Sequence, residues 1–265
     1  MEILSTQNAR VKEWASLLEK KHRDKLDKFI IEGIHLVSEA LRSDWDIQYI
    51  VYDTEKGIPA ELKEDIAAYN GGAQYVAVSQ AVLEKCTDTR TPQPVFAIVH
   101  KRNALLSSLL KEDSAMVMVL DGVQDPGNVG TIIRSADASG AKGVVLGKGC
   151  ADLYNPKTIR STMGSLFHVP VLEADLAEVL PAAKEQGMKL VSTSLKAEAS
   201  CYEYDFRSGG WIVIGNEGKG ISAETAALVE EHVLIPMQGQ AESLNAAMAA
   251  TVLLFEAMRQ RGDLG

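Results

Sequence analysis

Apolar runs divide the chain into two stretches, each alternating helical and strand patterns. In the first, amphipathic spacing over about 7–20 and again over 32–41 predicts two helices. Ile47–Asp53 (IQYIVYD) reads as a short buried strand, and Pro59–Tyr69 as a helix halted by Asn70-Gly71-Gly72. Gln74–Ser79 and Pro94–His100 read as further strands, joined through the turn-rich TDTRTPQP. The polar-amphipathic stretch Lys101–Ser114 is the natural boundary, giving domains over 1–105 and 106–265.

Beyond that boundary the strands are continuous apolar runs rather than alternating ones. They are Met116–Gly122, Gly143–Gly147, Met188–Thr193, Trp211–Gly215 and His232–Pro236. Continuous runs separated by helices predict an α/β fold with a mostly parallel sheet covered by helices on both faces. Such sheets bind ligands beyond the carboxyl ends of their strands.

Composition narrows the class. A chain of 265 residues buries a substantial core, and 46% hydrophobic with 24% charged residues excludes disorder, collagen and coiled coil. No apolar run approaches the roughly 18 residues of a membrane span, and MEILSTQNARVKEW has no signal-peptide core. Cys86, Cys150 and Cys201 form no pair motif, which fits a reducing compartment, and the chain is expected in the cytoplasm. The five histidines stand singly and no metal-ligand spacing occurs, so no metal is expected. A balance of 27 basic to 36 acidic residues argues against a general nucleic-acid binder. Between Arg10 and Lys28, however, seven basic residues face only four acidic ones. Taken alone, that run reads as a solvated helix face or as a binding surface.

Three loops of unusual composition carry the chemistry. The first, Asp121–Gly130, leads into TIIRSADASGA, with Asn128 placed to cap a helix and Arg134 off its apolar stripe beside a glycine-rich opening. A guanidinium near free backbone N–H groups suits phosphate. The second, Gly215-Asn-Glu-Gly-Lys-Gly220, fails both as a P-loop, because Ile221 and Ser222 follow it, and as a dinucleotide fingerprint, because its glycines are spaced GxxGxG. The third, Ile235–Asn245, runs into a last helix that Ser243 can cap. There Leu244, Ala247, Met248, Thr251, Val252, Phe255 and Met258 form an apolar stripe expected in the core. Asn245 suits a cap or a ligand contact equally.

In this order, NVGTIIRSADASGA, VIGNEGKGIS and IPMQGQAESLNAAMAATVLLFEA resemble the three motifs of the SpoU/TrmH family of RNA ribose 2′-O-methyltransferases. Ala246 and Ala247 replace a more usual Val-Ser, a small change in helix packing. Upstream, Leu4–Leu41 and Thr89–Val99 resemble the L30e-like substrate-binding domain of the rRNA-modifying members.

The resemblance implies an enzyme dependent on S-adenosylmethionine, with a C-terminal trefoil knot, that works as a homodimer on RNA. Bacterial 23S rRNA is the expected substrate; tRNA, or a non-catalytic role in ribosome assembly, is the alternative. It implies cofactor contacts at Gly215, Ile235, Leu244, Thr193, Gly220 and Met237. Asn128 and Arg134 would form the reacting centre, with Glu217 and Asn245 beside it. The basic segment would present Lys20, Lys21, Arg23, Lys25 and Lys28 to RNA phosphates.

Overall fold

A computed structural model describes residues 1–110 and 115–262; the end of the Lys101–Ser114 connector lies outside the described residues. The chain forms two compact units. One comprises Met1–Arg102 and Asp152–Phe167, and the other Asn103–Ala151 and His168–Gly265.

In chain order the first unit holds β1 (Glu2–Ile3), α1 (Ala9–Ser16), α2 (Lys20–Leu26), β2 (Lys28–Glu32), α3 (Ile34–Arg42), β3 (Ile47–Asp53), α4 (Lys63–Ala68), β4 (Gln74–Val78), α5 (Gln80–Cys86) and β5 (Val95–His100). The chain continues through α6 (Leu106–Leu109), β6 (Met116–Asp121), α7 (Pro126–Ala138), β7 (Gly143–Leu146), α8 (Pro156–Thr162), β8 (Val171–Glu173) and α9 (Leu176–Glu185). It ends with β9 (Leu190–Thr193), β10 (Gly210–Gly215), α10 (Ala223–Ala226), β11 (Glu231–Val233) and α11 (Ala246–Arg261).

The first unit is a five-stranded mixed sheet in the order β1-β4-β3-β5-β2, with β5 antiparallel to both neighbours. Alternate residues serve opposite faces. Ile30, Tyr49, Val51, Phe96 and Ile98 join Trp14, Val82 and Leu83 in one core. Phe29 faces the other way, against Trp45 and Tyr154. Tyr154 and Phe167 come from the segment 152–167, with Phe167 edge-on to Trp45 at 5.3 Å. A division at 105/106 in strict chain order does not include this return.

Strand β2 is absent from the sequence reading. Its five residues lie between two helical patterns with no turn signal before them, so the apolar pair Ile30–Ile31 merges into the helix that follows. The predicted helix over 7–20 also breaks, ending at Ser16 and resuming at Lys20. Arg23 completes that break. Its guanidinium donates to the carbonyls of Leu17 and Leu18 at 2.7 and 2.8 Å and pairs with Asp152, and the residue is only 2% exposed. Carbonyls left unpaired where a helix stops need such donors. Arg23 is therefore removed from the expected RNA-binding set, because a buried, paired guanidinium presents no charge to a phosphate. Lys20 is engaged with Asp24 at 3.2 Å, Lys28 is half-buried, and Lys21 and Lys25 are exposed at helical i,i+4 spacing.

The second unit is a six-stranded sheet in the order β11-β9-β10-β6-β7-β8, every pair parallel. Val117, Val119, Val145, Trp211 and Val213 face Leu176, Val179 and Leu180 of α9 in one core. Helices α7 and α11 pack together, joined by the Ser135 and Thr251 hydroxyls at 2.7 Å. From β6 the chain fills one side of the sheet (β7, β8) and then crosses to fill the other (β9, β10, β11). The crevice at such a switch point, here between the ends of β6 and β10, is where open α/β sheets take ligands.

Two helix starts differ from expectation. Pro126 occupies the first turn of α7 and Asp125 caps it, accepting from the Asn128 N–H at 2.9 Å, so Asn128 lies inside the helix. Proline at the first helical position is favoured because its missing N–H has no partner to lose. Asn245, not Ser243, caps α11. The stripe expected in the core is borne out only in part: Ala247 is buried, but the other buried apolar positions are Ala246, Ala250, Leu253, Leu254 and Ala257, while Met248 and Phe255 are 53% and 40% exposed. Because α11 is apolar almost all round, its periodicity does not select a face.

Breaking a buried ion pair from one side leaves the other charge stranded. Arg23→Met should cost about 3 kcal/mol of stability in denaturant unfolding followed by tryptophan fluorescence. Lys21→Met and Lys25→Met should each stay within about 0.5 kcal/mol of the parent.

Candidate functional site

Parallel strands deliver their following loops to one edge, and at that edge β6 and β10 run in register, with Asp121 opposite Gly215. Buried Asp121 accepts from the Ser222 N–H at 2.6 Å, and Asn216 Nδ2 donates to the Gly122 carbonyl at 2.8 Å. The two loops are thus tied to each other. Within the second, Asn216 and Gly220 exchange backbone hydrogen bonds of 2.9 Å, while Asn216 Oδ1 accepts from the N–H groups of Gly218 and Lys219. A Cβ at position 215 would lie 2.1 Å from the Gly220 carbonyl carbon, so glycine is required where the turn folds back.

Three side chains from three loops meet beside this turn. Asn245 Nδ2 donates to Asn128 Oδ1 at 3.0 Å, and Asn128 Nδ2 donates to Glu217 Oε1 at 2.9 Å. Glu217 also accepts from the N–H groups of Gln124 and Asp125 at 3.1 and 3.2 Å, at the amino end of α7. Of the two roles the sequence leaves open for Asn245, it makes the cap, its Oδ1 accepting from the Ala247 N–H at the start of α11. Burial alone would raise the Glu217 pKa, but the hydrogen bonds from Asn128 and the backbone outweigh it and hold the carboxyl below its ordinary value. Glu217 is therefore held as an anion hydrogen-bonded to Asn128 and the amino end of α7.

Arg134, the fourth residue of the expected reacting centre, is not in this clasp. It is exposed on α7, six residues and so about 9 Å beyond Asn128 along the axis and on another side of the helix. It makes no ion pair among the described residues. Cys150, at the neighbouring strand end, offers no nucleophile, because burial pushes its thiol up to about 11.

A cavity of about 600 Å³ opens beside the clasp at the ends of β9, β10 and β11. Thr193, Gly215, Gly220, Ile235, Met237 and Leu244 all line it, and so does Glu217. The structure thus gathers the six residues expected at the cofactor around one space, although they come from three separate stretches of chain. It also adds some that sequence reasoning passed over. Asn216 had a legible signal, an Asn at a strand end before glycines, which favours a side-chain-closed turn. Ser192 and His232, paired at 2.8 Å through Ser192 Oγ and His232 Nδ1, had none, because strand register alone brings them together.

Comparison with known proteins agrees in both units. Residues 115–255 match the SpoU rRNA Methylase family, and residues 8–97 match the MRM3-like substrate binding domain. A 23S rRNA (guanosine(2553)-2′-O)-methyltransferase of Bacillus subtilis is 39% identical over 96% of this chain and 98% of its own. A 23S rRNA (uridine(2479)-2′-O)-methyltransferase of Streptomyces viridochromogenes is 31% identical over 97% of this chain and 92% of its own. The crystal structure of the SpoU methyltransferase AviRb from that organism, in complex with AdoMet, superposes with a TM-score of 0.87 at 32% identity. It covers 96% of this chain and 98% of that one.

The depressed Glu217 pKa carries a pH signature. A carboxyl lowered on folding adds stability above its unfolded pKa, and that stability is lost as pH falls through the folded value. Glu217→Gln should therefore melt below the parent at neutral pH. The gap should close as pH drops below about 4, the ordinary range for glutamate, and melts at a series of pH values read it directly.

Proposed function

The chain belongs to the SpoU rRNA methylase family, and on that premise we propose that it transfers a methyl group from S-adenosylmethionine to a ribose 2′-hydroxyl of 23S rRNA. The observation that carries this reading is the double position of Glu217, which lines the cavity and closes the asparagine clasp. A cofactor held in the first lies next to a substrate held at the second. The cavity also fits: its volume is within the roughly 300–1,000 Å³ of cofactor pockets, and its wall mixes aliphatic side chains with the bare backbone of the Gly215–Gly220 turn.

S-adenosylmethionine, when bound, supplies an electrophilic methyl group on sulfonium. The chain's own residues do the aligning: Glu217 fixes Asn128, Asn128 fixes Asn245, and the three hold the loops in one arrangement. Alignment of reacting atoms lowers a barrier by several kcal/mol. The substrate hydroxyl must also lose a proton, and a guanidinium whose pKa exceeds about 12 does not accept it. Arg134 instead binds the neighbouring phosphate and favours the developing alkoxide, with the proton passing to water or another group.

The exposure of Arg134 supports a homodimer in which it completes the partner's site. The apolar Met248 and Phe255, exposed on α11, are the surface that such pairing would cover. The reading includes a trefoil knot in the C-terminal unit and an RNA-binding role for the domain over 1–105. On the basic segment, Lys21 and Lys25 are the phosphate contacts that best keep their charge free. No helix of the described residues is long and apolar enough to cross a membrane. The rRNA reading keeps the cytoplasm as the proposed site of action.

Labelled S-adenosylmethionine with unmodified 23S rRNA and tRNA tests this reading. Label should enter a 2′-O-methylated ribose of 23S rRNA and be lost in Arg134→Ala. Label on tRNA alone would move the substrate, and cofactor binding without transfer to free rRNA or to ribosomal particles would favour an assembly factor. Mixing Arg134→Ala with Asn245→Ala subunits should restore about a quarter of the sites if Arg134 acts across the dimer. No recovery would place Arg134 within its own subunit's site.

A further inference from the structure

The cavity holds two cations that the clasp does not use. Lys196 follows β9 and Lys219 follows β10, and these are neighbouring parallel strands with Ser192 opposite Val213. Adjacent strands lie about 4.8 Å apart, so the two loops leave the sheet side by side. Both loops are held by hydrogen bonds. The Lys196 N–H donates to Ser194 Oγ at 3.2 Å, and the Ser194 N–H donates to the Val233 carbonyl at 2.9 Å. The Lys219 N–H donates to Asn216 Oδ1 at 3.1 Å within the bridged turn.

Both lysines line the cavity, both are exposed at its rim, and neither enters an ion pair among the described residues. The acid on the same wall, Glu217, is taken up by Asn128 and two backbone N–H groups. Glu217 keeps its negative charge in that clasp, so the wall formed by the ends of β9 and β10 carries two cations against one anion.

We propose that Lys196 and Lys219 bind the α-carboxylate of the cofactor's methionine moiety. The assignment rests on the S-adenosylmethionine reading of the cavity and deepens it. That ligand carries two positive groups, the sulfonium and the ammonium, and one negative group. Two lysines on one wall repel the first two and attract the third, so they decide which end of the ligand lies there. An RNA phosphate is less suited, because it stays on the polynucleotide outside the cavity, whereas both lysines belong to the cavity's lining.

Calorimetry with S-adenosylhomocysteine and 5′-methylthioadenosine tests the assignment, since the second nucleoside lacks the amino-acid group. Lys196→Met with Lys219→Met should weaken S-adenosylhomocysteine about tenfold, as expected for loss of a charge-assisted contact at a partly exposed site. Binding of 5′-methylthioadenosine should stay unchanged, which also shows that the double variant is folded. Equal weakening of both nucleosides would overturn the assignment, because the lysines would then only shape the cavity. Unchanged binding of both, with a flatter salt dependence of RNA binding, would overturn it in favour of a phosphate contact. Wild-type protein that binds neither nucleoside would overturn the cofactor reading, and this assignment with it.

Discussion

A parallel sheet sends every strand's following loop out at the same edge, and in this protein that edge holds both the asparagine clasp and the cavity. Strands β6 and β10 lie in register to their last residues, so the loops after Asp121 and Gly215 start side by side. Hydrogen bonds from Ser222 to Asp121 and from Asn216 to Gly122 then lock them together. Only with that lock in place can Glu217 reach the amino end of α7 and hold Asn128, which in turn meets Asn245 at the start of α11. The clasp is a consequence of strand register.

Charge follows the same economy. The chain is acidic overall, at −9, yet its decisive charges are placed singly. Glu217 sits where two backbone N–H groups and the positive end of a helix favour an anion. Arg23 is buried where α1 leaves carbonyls unpaired, so its charge stabilises the first unit's own fold. Lys196 and Lys219 enter no ion pair among the described residues where a cavity opens. In each case burial and available partners, not net charge, decide what the group does.

Much of this was legible in the sequence, for identifiable reasons. Continuous apolar runs do specify buried parallel strands, and glycine- and asparagine-rich loops at their ends do mark a ligand edge. The six residues expected at the cofactor share one cavity because strand ends, not sequence distance, set their neighbours. What stayed hidden depends on tertiary context. Arg23 looks like any lysine-rich helix residue until the break after Ser16 gives it carbonyls to satisfy. The return of 152–167 to the first unit is invisible to a reading in chain order, because Tyr154 and Phe167 are apolar in either setting. Helix α11 is too uniformly apolar for periodicity to tell its buried face from the one bearing Met248 and Phe255. Asn128 has the residue type of a cap, but Asp125 makes it, and Pro126 in the first turn is the signal of that earlier start.

The central claim is that Asn128, Glu217 and Asn245 act as one unit at the reacting centre. Single and triple substitutions Asn128→Ala, Glu217→Gln and Asn245→Ala, compared by kcat/KM for methyl transfer to 23S rRNA, test it most directly. Residues that work as a unit give strongly non-additive losses. The triple variant should therefore cost little more than the most damaging single one. If the three losses instead multiply, the side chains act independently and the clasp is not the organising element of the site.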